Sequence, residues 1–412
     1  MRILFTMTGG WGTGSGTVVA ALADRLHALG HEVAVLYPDT RGAPDVGDVP
    51  APEAEHFLWT FPIREGETEL YTFPLMIPDP NPANFDRAWT YADLSDAQLD
   101  LFVRSFQTRV REVVAAFRPD VVECQHIWAM PYAVARLGLP YFVMAHHSDQ
   151  MAFHRDPRMR PLATEAARRA EKVFALTNAN RDEILALYGV PPEHVVVMGN
   201  GYDRAVFHPK DVDRPALLAA FGLDVPDGAP LVTFAGKLSR TKGVDLILEA
   251  NRLLRERLEN PPHFILFGSG NLDEALDPAR PEAYAREGCH LLGHQSYEVV
   301  SDFHAVARLS VMPSRSEGFG LAALEAMGCG LPVVVTRLGG PDSYSVGPLI
   351  PPEDPAALAD AVEAVLAMPE ADYRALRERA LAVALTFSWE AVVEKRLRYF
   401  AGGRMTGAER RA

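Results

Sequence analysis

Two glutamates eight residues apart are the sharpest chemical feature of this sequence: Glu317 and Glu325 in SEGFGLAALEAMGCG. Ser316, Gly318 and Gly320 make a flexible turn ahead of a helix predicted from near Phe319 to about Met327. The free N–H groups at a helix start attract phosphate oxygens. Glu317 falls just outside that helix, where it could reach a sugar. Glu325 lies about two turns along an otherwise apolar run, so it needs a partner if buried. The paired hydroxyls of a ribose would satisfy it, and so would a structural role in capping a neighbouring loop.

Lys237 and Lys242, in AGKLSRTKGVD, fall at a strand end and at the approach to the next helix, so both can point at one site. Two ammonium groups suit a diphosphate that gains charge as it leaves. A pair of solvated surface lysines is the plainer reading. A glycine loop, GGWGTGSGT from Gly9 to Thr17, lies between a strand and a helix and lets the backbone approach an anion. Asp39 is near the right distance for a ribose. Yet no register gives GxGxxG, because Gly12 and Gly14 are followed by Thr17. The loop therefore predicts either an anion or nucleotide near a helix start or a structural turn. His146, in MAHHSD, follows a strand, and on residue type alone it reads as structural. Asp211 and Asp213 form a DxD, but in a linker rather than after a nucleotide-binding strand, so no metal site is predicted.

These residues need a frame that holds strand ends together. Arg2 to Met7 reads as a strand, Thr17 to Leu29 as a helix closed by Gly30, and Glu32 to Leu36 as a strand. This βαβ unit predicts a parallel sheet covered by helices. Strand-like runs recur at Val121–Val122, Tyr141–Ala145, Val173–Leu176 and Val195–Met198. The pattern restarts near Pro230 with strands at Leu231–Ala235, Phe264–Phe267, Leu309–Met312 and Pro332–Thr336, and helices at Val244–Leu258 and Pro355–Leu366. Two doubly wound α/β, Rossmann-like domains facing a cleft are expected. Residues 1–205 form the first and 206–387 the second, with a helix in 388–412 packing back on the first. The polar, proline-bearing NGYDRAVFHPKDVDRPALLAAFG reads as the hinge.

With 412 residues the chain is long enough for two domains of about 200 each. A formal charge of −14 argues against nucleic acid and against rest on anionic lipid. Cys124, Cys289 and Cys329 are far apart, with no CxxC pair, so no zinc ribbon or disulfide framework is predicted. No window approaches the roughly 20 apolar residues of a membrane helix, and MRILFTMTGG lacks the build of a signal peptide. A cytoplasmic protein is expected.

EGFGLAALEAMGCGLPVV resembles the Glu-x7-Glu region of family 4 glycosyltransferases, retaining enzymes of GT-B fold. The resemblance runs along nearly the whole chain. It includes GTGSGTVVAALADRLHALGHEV, PDVVECQH, MAHHSD, GNGYDRAVFHP, AGKLSRTKGVD, FILFGSGN and the pair Gly339–Gly340. It implies a nucleoside-diphosphate sugar as donor, no metal and no other cofactor. By that resemblance Glu325 would hold the ribose hydroxyls and Glu317 the donor sugar. Backbone groups of Gly318, Phe319, Gly320 and Leu321 would touch sugar or diphosphate, with Gly14 and Gly16 across the cleft. Lys242 matches the lysine that neutralises the diphosphate. Lys237 stands where many members have arginine, which keeps the charge but loses the bidentate fork. His146 aligns with the active-site histidine, His147 replaces a common glycine beside it, and His294 matches a loop near the base.

The acceptor is less constrained. From Arg41 to Asp100 the chain is rich in proline, aromatics and acids, as in an insertion that shapes a binding cleft or cap. Trp59, Phe61, Tyr71, Phe73, Trp89 and Tyr91 lie amid Glu53, Glu55, Glu65, Glu67 and Glu69, and this acidic balance predicts a small soluble acceptor, neutral or cationic, such as a natural-product or thiol-pathway intermediate; a plain solvated acidic surface is the alternative. GTGSGT also resembles enzymes that make glucosaminyl-malate, whose acidic acceptor would need a cationic pocket; Arg155, Arg158 and Arg160 are the obvious cluster. The rival readings are a silent sugar-nucleotide-binding subunit, a sugar-nucleotide epimerase of the same fold and an NAD-dependent oxidoreductase. A homodimer is compatible with the sequence.

Overall fold

The computed structural model describes residues 1–11, 13–39, 50–77 and 89–409. It divides into two compact units, Met1–Gly199 with Val392–Ala412, and Asn200–Ala391. In the first, the chain runs through β1 (Arg2–Thr6), α1 (Gly14–Ala28), β2 (Glu32–Asp39) and β3 (Glu55–Thr60). A small hairpin, β4 (Ile63–Glu65) and β5 (Thr68–Leu70), leads to α2 (Asp96–Phe117), β6 (Val121–Gln125) and α3 (Ala129–Val134). Then come β7 (Tyr141–Met144), α4 (Ser148–Arg155), α5 (Arg160–Arg169), β8 (Lys172–Ala175), α6 (Asn178–Tyr188) and β9 (Val195–Val197).

The second unit opens with α7 (Arg214–Ala220), β10 (Leu231–Ala235), α8 (Val244–Arg257), β11 (His263–Phe267), α9 (Leu272–Ala275) and β12 (Cys289–Gly293). It continues with α10 (Tyr297–Val306), β13 (Leu309–Met312), α11 (Leu321–Gly328), β14 (Val333–Thr336) and β15 (Leu349–Ile350). The chain ends in α12 (Pro355–Leu366), α13 (Glu370–Leu385) and α14 (Trp389–Glu409).

Each unit is built on one parallel sheet. The first has the order β3-β2-β1-β6-β7-β8-β9 and the second β12-β11-β10-β13-β14-β15. In both, strand order reverses beside the first strand, between β1 and β6 and between β10 and β13. In open sheets of this kind, ligands bind outside the carboxyl ends of the strands at that reversal. The strands read as near-continuous apolar runs because helices cover both faces: Val121, Val122, Val143, Val173, Phe264 and Val334 are all at most 2% exposed.

Three expectations are corrected. Helix α1 begins at Gly14 rather than Thr17, because Thr13 caps it, its Oγ1 accepting from the Gly16 N–H at 3.2 Å. Much of the glycine loop is therefore first helical turn. The aromatic segment before residue 100 is largely interior. Trp59, Phe61, Phe73, Trp89 and Tyr91 are buried with Phe102 and Phe106 of α2, and Tyr71 stacks on Trp89 at 3.9 Å. These rings form core and β3 extends the sheet, so they do not line a cap; residues 40–49 and 78–88 lie outside the described residues. Finally, the division falls at Gly199/Asn200 rather than after 205, because Tyr202 bridges to Ser388 and is itself buried in the second unit. Gly201 packs so closely on the Trp389 indole that a Cβ there would lie 2.4 Å from it. Within the segment read as hinge, Asp213 caps α7, accepting from Ala216 N–H at 3.0 Å.

Helix α14 follows the second unit in sequence, yet Val392 onward belongs to the first. Lys395 Nζ donates to Val197 O at 2.6 Å, and the Phe400 and Tyr399 rings rest on Phe142 and Phe174 at 5.1 and 5.7 Å. Among the described residues, no helix is long and apolar enough to cross a membrane.

Candidate nucleotide-sugar site

In the second unit the singled-out residues follow the carboxyl ends of β10, β12 and β13. Gly243 ends the turn after β10 at φ +74°, where any Cβ would lie 2.1 Å from Pro313 O. This contact brings the 240–242 turn against the segment after β13. Lys242 Nζ then meets Glu317 Oε2 at 2.7 Å, with both side chains mostly shielded from solvent. The sequence presents these two residues as separate donor contacts, and the fold brings them together as an ion pair. Lys237 is exposed and makes no ion pair among the described residues. His294, just past β12, is exposed as well.

Helix α11 starts after Gly320, whose φ of +83° and contacts of about 3 Å to Pro341 and Met312 admit only glycine. No side chain caps this helix, so its first amides face outward without an intrahelical partner. Phe319 is buried against Tyr344, with ring centroids 4.8 Å apart, which leaves its backbone rather than its ring for a ligand. The Tyr344 hydroxyl lies 2.8 and 2.7 Å from the carbonyl oxygens of Phe319 and Gly320 and ties the turn down. Gly340 backs Glu317 so tightly that a Cβ would come 2.6 Å from the Glu317 carbonyl oxygen. Glu325, on α11, has neither an ion pair nor a hydrogen bond to its carboxylate among the described residues, and burial pushes its pKa up to about 7.

In the first unit, Gly14 is exposed and Gly16 buried at the start of α1, beyond β1; Gly12 and the Asp39 side chain lie outside the described residues. His146 follows β7. Its N–H donates to Asp149 Oδ1 at 3.0 Å, while Asp149 Oδ2 accepts from Ile127 N–H at 2.7 Å. One fully buried carboxylate thus joins the loops after β6 and β7. The His146 Nε2 lies 2.7 Å from Gln125 Oε1, and its ring is 4.7 Å from that of His126. His126 in turn sits 2.6 Å from Thr8 Oγ1. Burial, then the neighbouring His126 and Arg396, hold the His146 pKa well below 6.5, so the ring is neutral at pH 7. His147, at φ +70°, faces Glu183 at 3.2 Å. Thr8, Gln125, His126 and Asp149 carry no spacing signal in the sequence; only the strand-end rule of such sheets could have marked them. Arg158, from the arginine cluster, is held by Asp156 and Asp96 and by two backbone carbonyls, so its charge is already committed.

Comparison with known proteins matches two successive family domains that meet near the division of the fold. Residues 13–201 match the family described as Glycosyl transferase 4-like domain, and 219–382 match Glycosyl transferases group 1. A D-inositol 3-phosphate glycosyltransferase of Catenulispora acidiphila is 33% identical over 241 residues, 55% of this chain and 56% of that protein. The alpha-D-kanosaminyltransferase of Streptomyces kanamyceticus is 29% identical over 263 residues, 60% of this chain and 66% of that one. The matched stretch is thus little more than half the length of the inositol-phosphate enzyme. Among solved structures, a sucrose-phosphate synthase from Thermosynechococcus elongatus has a TM-score of 0.67 at 20% identity, covering 98% of both chains. HepE of Anabaena, solved with UDP, has a TM-score of 0.69 at 17% identity, covering 98% of this chain and 100% of that one. With both halves of its length matched in family order on two parallel sheets of this kind, the protein belongs to the family 4 glycosyltransferases of GT-B fold.

Proposed function

We propose that the protein transfers a glycosyl group from a nucleoside-diphosphate sugar to a small hydroxyl-bearing acceptor, with retention of anomeric configuration and without a metal. The observation that carries this reading is the group on α11: an uncapped helix start, the Lys242–Glu317 pair beside it, and a half-buried Glu325 whose carboxylate has no hydrogen bond or ion pair among the described residues. A diphosphate at the helix start would meet outward amides and the Lys242 ammonium, which together supply the positive field that a metal gives elsewhere. Lys242 would exchange Glu317 for the diphosphate as charge builds on the leaving group, freeing Glu317 for the sugar. Glu325 would accept from the ribose hydroxyls. In this scheme the departing phosphate oxygen takes the acceptor proton on the face it leaves, which retains configuration. Neutral His146 would hydrogen-bond a substrate hydroxyl. The similarity to a D-inositol 3-phosphate glycosyltransferase supports a cyclic polyol acceptor, and the similarity to a kanosaminyltransferase supports transfer of a glycosyl group to a small molecule.

Calorimetric titration with UDP-, GDP- and ADP-glucose and with NAD tests the reading. At least one sugar nucleotide is expected to bind in the micromolar range and NAD not at all; tight NAD binding alone would sink it. Transfer to inositol 3-phosphate, followed by NMR of the anomeric proton, checks retention, and the rate should be unchanged in EDTA. His146→Ala should lower turnover by about 100-fold with little change in nucleotide affinity.

A further inference from the structure

The first unit holds a buried polar array beyond the residues given roles above. Arg396, on α14, and Glu123, on β6, are both wholly inaccessible to solvent, and Arg396 Nε donates to Glu123 Oε2 at 3.1 Å. Glu123 Oε1 accepts from Gln125 Nε2 at 3.1 Å, two residues along the same strand and therefore on the same face. Gln125 Oε1 lies 2.7 Å from His146 Nε2.

The direction of every bond follows from what each group can do. A guanidinium has only donors, so the carboxylate paired with it presents lone pairs. Those lone pairs take the N–H end of the Gln125 amide and turn its carbonyl toward the imidazole. A carbonyl only accepts, so His146 must bring an N–H at Nε2. Its Nδ1 meets no hydrogen-bond partner among the described residues and keeps its lone pair. The other polar neighbours do not compete: Asp149 is engaged by backbone N–H groups, and His126 is engaged by Thr8.

A fully buried ion pair is a poor device for stability alone, since apolar replacements of the same volume often do as well or better. Here it starts a directed chain that ends on a side chain at the carboxyl edge of the sheet. We propose that Arg396, Glu123 and Gln125 are positioning residues that lock His146 in its Nε2–H tautomer and offer Nδ1 as the acceptor for a substrate hydroxyl. The substrate part rests on the functional reading of His146; the tautomer does not.

The test is a long-range ¹H–¹⁵N correlation spectrum of the full chain labelled with ¹⁵N-histidine, with His146 assigned by His146→Gln. At pH 7 the His146 signals should show a protonated Nε2 and an unprotonated Nδ1. An Nδ1–H tautomer or an imidazolium would overturn the proposal. Glu123→Gln offers Gln125 a carbonyl as well as an N–H, so Gln125 can reverse, and the tautomer ratio should fall about tenfold or more. Should that variant not fold, Gln125→Met leaves the ion pair intact and should release the same preference. An unchanged ratio in a folded variant of either kind refutes the relay. An unchanged transfer rate in His146→Ala would instead refute the functional reading, whatever the tautomer.

Discussion

Because burial pushes Glu325 up to about 7, its charge changes within the physiological range, and both binding and stability should follow. A ribose donates to a carboxylate, so affinity for UDP should rise as pH goes from 6 to 8. Glu325→Gln should flatten that rise and weaken UDP binding roughly 10- to 100-fold at pH 8. The stability of the free protein runs the other way. A carboxyl with a folded pKa above its unfolded 4.5 holds a proton that the unfolded chain has lost. Its contribution is therefore complete below 4.5 and disappears as pH rises to about 7. Denaturant titrations at pH 5 and 8 check the sign: wild type should lose stability across that interval relative to Glu325→Gln, and an equal response in the two proteins would contradict it. At this scale the sequence was legible where helical spacing isolates a residue, as it does Glu325 in an apolar run. It was silent where partners are distant. Lys242 and Glu317 are 75 residues apart, and Glu123 and Arg396 are 273 apart. Spacing alone suggests neither pairing, and the fold makes both.

The turn before α11 illustrates how elements hold such residues. It is clamped from behind by Gly340 and by the Tyr344 hydroxyl, so it works as a rigid platform. Gly340→Ala forces a Cβ against the Glu317 carbonyl and should cost about 1–3 kcal/mol of stability, as overpacking does elsewhere. It should also weaken UDP binding about tenfold, because one hydrogen bond to the diphosphate is misdirected. Calorimetry and thermal unfolding of the same sample check both, and a variant with wild-type affinity would show that the turn adapts. Elements were well legible where apolar runs are continuous: β10, β13 and α12 have the bounds the pattern predicts. Strand β3 was hidden because it is an edge strand, EHFLWT, in a segment whose prolines and acids dominate its composition. The α1 start was misplaced because glycines there serve in a helical turn that Thr13 caps.

For the whole molecule, the sequence showed two βαβ-type halves, since each begins with its own strand, loop and amphipathic helix. It did not show the boundary, because NGYDRAVFHP has linker composition but carries Tyr202 and Phe207, which are buried in the second unit. That unit is one continuous segment, so the fragment 200–391 should unfold cooperatively in urea by itself. The fragment 1–199 lacks the α14 contacts made by Lys395, Arg396 and Phe400, and leaves Glu123 buried without its cation. It should be molten, and a 389–409 peptide added in trans should restore its cooperative transition; a fully cooperative 1–199 fragment would show that the helix is dispensable. The return of α14 also has a consequence in time. On the ribosome the first unit's sheet emerges early, but the residues that complete it follow about 190 positions later, a delay of roughly 10–40 s at ordinary elongation rates. Through that interval Glu123 on β6 must wait, without the Arg396 guanidinium that neutralises it in the folded unit.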